Sequence, residues 1–277
     1  MKSELRSGAE TRNPRADFAR RWIFGLRCLG FGFRIAVLAA VLARLDSVIQ
    51  AAVPAAGTAF QEASAAYARG AYSDSAVRWS DLAREHPSAG AFHNLGNAEW
   101  KRDRVGYAIL AWERAQWLDP FDANTRANLR FARQQAQLGA PDLAWYEVCS
   151  TWLPVDAWAW IASGGFWVAV GLVALPGIFR WRKAGWHQAV SAAGFALFLL
   201  AAPALLGVHT RAELGVIRLA DTPLRLTPTT EAQALARLPA GEVVRWERSR
   251  RNYLYVRAGN DAAGWVRSSE FGSISSE

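Results

Sequence analysis

The sequence predicts a multidomain membrane protein: an all-α helix–turn–helix solenoid, two transmembrane helices, then a small all-β barrel. Three observations predict it. Two uncharged runs, 157–179 and 188–208, are 23 and 21 residues long, and about 20 apolar residues suffice to cross the hydrocarbon core of a bilayer. Residues 56–138 are rich in Ala, Leu, Arg and Gln and repeat themselves at an offset of 32 residues. Residues 215–271 break into short apolar or alternating runs separated by turn residues, the pattern of several short strands.

Composition narrows the function classes. At 52% hydrophobic and 20% charged, the 277-residue chain is no disordered polyelectrolyte. Its two cysteines exclude a disulfide-stapled scaffold. The net charge of +8 invites a nucleic-acid reading, but its distribution removes it. Residues 1–44 carry +6, residues 56–144 are neutral, and residues 209–277 carry only +2. Most of the excess sits beside apolar segments, where it sets membrane orientation. No nucleic-acid partner is expected.

The apolar runs are read as a transmembrane hairpin, helices at 157–179 and 188–208, because soluble helices of that length carry a polar face. Trp145, Trp152, Trp158 and Trp160 precede the first run, and Trp181 and Trp186 lie between the two, as in interfacial belts. Arg180, Arg182 and Lys183 place the connecting loop, 180–187, on the cytoplasmic side. Residues 1–55 read as a signal peptide or an N-terminal anchor. A basic lead ends at Arg34, an apolar stretch follows, and Val53-Pro54-Ala55 suits cleavage. Both signals put 56–144, the interfacial linker 145–156 and 215–271 on the outer side.

In the first exported segment, Phe60-x2-Ala63-Ser64-x2-Tyr67 recurs as Phe92-x2-Leu95-Gly96-x2-Glu99, and Ala76-x3-Ser80 recurs as Ala108-x3-Trp112. The units close at Pro87 and Pro120, and Asn124 to Leu138 reads as a capping helix. The pattern resembles the tetratricopeptide repeat, most closely in the second unit, where Leu95, Gly96, Ala108, Trp112, Ala115 and Pro120 match. In the last segment the expected strands centre on Val216-Ile217, Leu224-Arg225-Leu226, Val243 to Trp246, Tyr253 to Val256 and Gly264-Trp265-Val266. Their order, with Pro239-x-Gly241 before the third and Gly264-Trp265-Val266 at the end, resembles a bacterial SH3-like barrel.

Signal, repeats, hairpin and barrel in that order resemble the BatE-like family of the Bacteroides aerotolerance group, over nearly the whole chain from residue 56. Asn94-Leu95-Gly96-Asn97-Ala98 and Leu118-Asp119-Pro120 are typical of its repeats. The resemblance implies a non-catalytic scaffold anchored in the bacterial inner membrane, multi-pass, with repeats and barrel on the periplasmic side. It implies work beside von Willebrand A-domain membrane proteins and a MoxR-type ATPase.

No catalytic motif, phosphate-binding loop or metal-ligand spacing is present, and the four histidines are scattered, so the reading is of no enzyme and no cofactor or metal. Candidate partner-binding residues are Asn94 and Asn97 on the first helix of their repeat, with Asn128 and Arg130 on the next equivalent helix. The alternative for Asn94 and Asn97 is solvation or capping of the inter-repeat turn. In the barrel, Trp246, Tyr253, Tyr255 and Trp265 form a candidate groove, against the alternative that they fill a small core. The leading function is a scaffold for partner proteins or peptides. The runner-up is a cell-wall tether or sensor whose barrel binds peptidoglycan peptides.

Overall fold

The computed structural model describes residues 57–178, 185–259 and 262–275, so the signal or anchor expected at 1–55 and the basic loop Arg180–Lys183 lie outside the described residues. Among the described residues five helices come first: α1 (57–68), α2 (Tyr72–Glu85), α3 (Ala89–Lys101), α4 (Val105–Leu118) and α5 (Ala123–Gln135). Their boundaries follow from local chemistry. Ser88 caps α3 by accepting from the Ala91 amide, and Asp122 caps α5 by accepting from the Asn124 and Thr125 amides. Gly70, at φ 77°, turns the chain between α1 and α2, a left-handed conformation that costs glycine nothing.

These helices pack closely because small residues line their contacts. Ala63 and Ala66 of α1 are fully buried, and Ser75 of α2 donates to the Ala63 carbonyl at 3.0 Å. A Cβ on Gly96 of α3 would lie 2.5 Å from the Trp112 indole of α4, so glycine lets that ring fill the gap between the two helices. In the preceding pair Trp79, which is buried, plays the filling part and meets Phe60 edge-on at 4.7 Å.

A short helix, α6 (Trp145–Ser150), leads into two long apolar ones, α7 (Val155–Ile178) and α8 (Gly185–Arg211). Both are long and apolar enough to cross a membrane. At about 1.5 Å per residue, their 24 and 27 residues exceed the roughly 30 Å hydrocarbon core. Their large side chains stand outward: Trp160 is 77% exposed and Leu200 72%. They touch each other through small residues instead. A Cβ on Gly165 would lie 2.7 Å from the Gly194 carbonyl oxygen, and Ser191 Oγ donates to the Ala169 carbonyl at 2.9 Å. The helices start at 155 and 185 rather than 157 and 188, so the end of the expected loop is helical.

The C-terminal part is a curled antiparallel sheet, a half-barrel, of order β3-β2-β6-β5-β4-β1-β7. Its strands are β1 (Leu214–Ile217), β2 (Thr222–Arg225), β3 (Ala234–Leu238), β4 (Val243–Arg250), β5 (Tyr253–Ala258), β6 (Ala263–Arg267) and β7 (Phe271–Ser273). The five expected runs fall on β1, β2, β4, β5 and β6, while β3 and β7 form the two edges. β1 is buried on both faces. Ile217 joins Leu224, Val244, Val256 and Val266 inside the curl, whereas Leu214 and Val216 pack with Ile109, Leu110 and Trp112 of α4. The helices thus cover one side of the half-barrel. The approach is close: Gly106 lies so near the Ile217 and Arg218 carbonyls that a Cβ there would strike them, and Gly241 packs beneath Ile109 and Leu138. Arg114 Nε donates to the Ser273 carbonyl at 2.9 Å across the same seam.

Candidate functional site

The expected partner-binding residues divide into an inner and an outer pair. Asn97 Oδ1 accepts from Trp112 Nε1 at 3.2 Å and from Asn128 Nδ2 at 3.0 Å. Asn97 and Asn128 therefore bridge α3, α4 and α5, and Trp112 Nε1 also donates to the His93 carbonyl. Asn94 is half-buried and Arg130 is exposed on α5. Among the described residues those two side chains have no hydrogen-bond partner, whereas Asn97 Oδ1 and Asn128 Nδ2 are engaged within the array.

His93 belongs to the same seam. Thr125 Oγ1 donates to Asp122 Oδ2, so with its one proton committed it accepts from His93 Nδ1, 2.7 Å away. The Thr125 hydroxyl, foremost, holds the Asp122 carboxyl below the ordinary aspartate range, and the Asn124 and Thr125 amides add to it. The polarity runs from imidazole to hydroxyl to carboxylate, opposite to the one that activates a nucleophilic hydroxyl. It is a helix cap extended by one residue. No cluster of three or more His, Cys, Asp or Glu suited to a metal occurs among the described residues.

The four sheet aromatics do not share one face. Trp246 pairs with Val256 and packs on the core inside the curl. Tyr255 and Trp265 are directly opposed on β5 and β6, their rings meeting edge-on at 5.3 Å. Adjacent strand residues point to opposite faces, so this pair lies on the other side of the sheet from Trp246. Tyr253 shares their side by alternation and is buried, and the Arg248 guanidinium sits 4.8 Å from the Tyr255 ring centre. A two-ring patch flanked by a cation remains on the outer face.

A third constellation joins all the parts and has no local sequence signal. Glu147, on the six-residue helix α6, is 1% exposed. Its Oε1 accepts from Arg245 Nη2 of β4 at 2.8 Å, and its Oε2 accepts from the Ala144 amide at 2.9 Å. Arg245 Nη1 also donates to the Thr210 carbonyl in the last turn of α8, at 2.8 Å, an oxygen that accepts from the Glu213 amide as well. Arg211 Nη1 donates to Ser150 Oγ at 3.0 Å, and its guanidinium lies 4.9 Å from the Trp117 ring centre of α4. Gly207 packs directly on the Tyr146 backbone, where a side chain would clash. Burial is the largest influence on the Glu147 carboxyl and disfavours its charge. The Ala144 amide, then the Thr210 hydroxyl and Arg245, together outweigh it and hold the carboxyl below the ordinary glutamate range. Only Ala212 and Glu213 separate α8 from β1, so the sheet follows directly from the apolar helix.

Compared with family models, curated proteins and solved structures, the chain finds no match in any of the three.

Proposed function

We propose that the protein is a non-catalytic, BatE-like scaffold anchored in the bacterial inner membrane. Its helical array and half-barrel hold partner proteins or peptides on the periplasmic face. The observation that carries this reading is the junction. Helical array, sheet and apolar helix pair are packed into one another through α4–β1 and through Glu147, Arg245 and Arg211. A ligand held by either globular part is thereby held at a fixed place relative to α7 and α8. Such rigidity suits assembly of partners at a membrane. The antiparallel helix pairs, the Gly96–Trp112 contact and the prolines at 87 and 120 support tetratricopeptide units, and the strand order supports an SH3-like sheet. Partners of von Willebrand A-domain and MoxR ATPase type follow from the family resemblance.

The test is site-specific photo-crosslinking in cells from positions 94 and 130, the two candidate residues left free on α3 and α5. A discrete adduct from both, absent from a probe on the buried position 108, is expected. Absence of any adduct overturns the scaffold reading.

One observation favours a second reading, the peptidoglycan tether. The Tyr255–Trp265 pair stands on the sheet face away from the core, with Arg248 beside it. Saturable retention of the chain on purified sacculi, lost on Trp265→Ala, is the result that would support it.

A further inference from the structure

A cavity of about 410 Å³ opens where α2, α3 and α4 meet the end of β1, on the opposite side of α3 and α4 from the Asn97–Asn128 seam. Five arginines line it against two carboxylates. The carboxylates are already spoken for. Glu99 pairs with Arg102 at 3.0 Å and Arg104 at 3.5 Å, and Asp81 pairs with Arg84 at 3.2 Å. Arg114 and Arg218 remain, and neither makes an ion pair with any of the described residues.

Both are nevertheless fixed. Arg114 Nε donates to the Ser273 carbonyl, and among the described residues its two terminal nitrogens have no hydrogen-bond partner, in a side chain that lines the cavity. Arg218 Nη2 donates to the Ser269 carbonyl at 2.7 Å, while its Nε is buried with no hydrogen-bond partner among the described residues. The Tyr107 ring steadies the wall, with the Arg104 guanidinium 3.7 Å and that of Arg218 5.6 Å from its centre. Burial, and then repulsion from Arg218, lowers the Arg114 pKa from the ordinary arginine value. Two neighbouring guanidinium groups, partly desolvated and held by backbone carbonyls, cost free energy that an oxyanion between them would recover. The planar fork of each suits bidentate contact with phosphate or carboxylate.

We infer that this cavity is an oxyanion-binding site in which Arg114 and Arg218 grip the phosphate or carboxylate group of a small ligand. Arg104 and Arg102, already paired with Glu99, add positive field at its rim. The site depends on the helix–sheet seam, because α4 supplies one arginine and β1 leads into the other. It stands apart from the scaffold reading, whose test uses α3 and α5 positions.

The experiment is calorimetric titration of the full chain in detergent with inorganic phosphate and, separately, with succinate. Saturable binding of at least one is expected, and the tighter of the two identifies the ligand's acid group. Arg114→Gln and Arg218→Gln should each weaken it at least tenfold, with Arg250→Gln, at the exposed end of β4, leaving it unchanged. Arg114→Lys and Arg218→Lys keep the charge but lose the fork, and they should bind at an intermediate level if the glutamine variants fail to fold. Absence of saturable binding of either anion, or equal binding by wild type and both lysine variants, overturns the site.

Discussion

Glu147 and Arg245, 98 residues apart, form a 2.8 Å ion pair in which the carboxylate is buried and the guanidinium reaches both α6 and the last turn of α8. Removing one partner of a buried pair costs about 3–5 kcal/mol, because the other charge is left uncompensated. Arg245 retains part of its solvation and a second carboxylate, Glu213, 3.6 Å from its Nη1, so Glu147→Gln should fall at or below the low end of that range. A lowered melting temperature of the full chain in detergent checks it.

Glu147 also sets a pH dependence. The Glu147 carboxyl is held below its ordinary value in the folded state. Its stabilising contribution is therefore present above the unfolded glutamate pKa of about 4.3 and is lost as pH falls through the lower folded value. The gap in melting temperature between wild type and Glu147→Gln should be widest at neutral pH and close under acid. A gap constant down to pH 3 would show that the carboxylate charge contributes nothing at the junction.

Gly96→Leu should disorder the helical array. The added Cβ alone would lie 2.5 Å from the Trp112 indole, and overpacking of this kind costs roughly 1–3 kcal/mol or more. The full chain should melt at lower temperature, with the change in Trp fluorescence reporting the displaced ring. An unchanged melting curve would refute the packing of α3 on α4 described above.

Asn97→Ala and Arg130→Ala should separate internal from external roles. Asn97 bridges Trp112 and Asn128 through partly buried hydrogen bonds, so its removal should destabilise by about 1 kcal/mol, the net worth of a typical intramolecular hydrogen bond. Arg130 is exposed, and its removal should leave melting unchanged while weakening any crosslinked adduct formed on α5. Equal melting of the two variants would contradict the division.

The elements that were legible in the sequence are those with a strong local pattern. The two apolar runs became α7 and α8, the proline-closed repeat became paired helices, and two of its matched positions, Gly96 and Trp112, meet between α3 and α4. β3 was missed because only Leu238 of its five residues is buried, so Ala234 to Arg237 show no clear alternation. β7 spans three residues, too short to read. The division of the aromatics between sheet faces depends on which way β4 and β5 turn, and a register shift between Trp246 and Arg248 hides it. The junction was illegible because Glu147 and Arg245 are brought together by the fold alone. One signal was available: Leu214-Gly215-Val216-Ile217 is a continuous apolar run, the mark of a strand covered on both faces.

The reading of the protein as a periplasmic-face scaffold is tested most directly by the side on which its sheet lies. A single cysteine is placed at the exposed Ser249 of β4 or at Ala184, in a background with Cys28 and Cys149 replaced by alanine. Intact spheroplasts are then treated with a membrane-impermeant thiol reagent. Retention of Arg180, Arg182 and Lys183 on the inner side requires Ser249→Cys to react in intact spheroplasts and Ala184→Cys to react only after lysis. The reverse pattern, with Ala184→Cys labelled in intact spheroplasts and Ser249→Cys protected, would place helices and sheet in the cytoplasm and contradict the account.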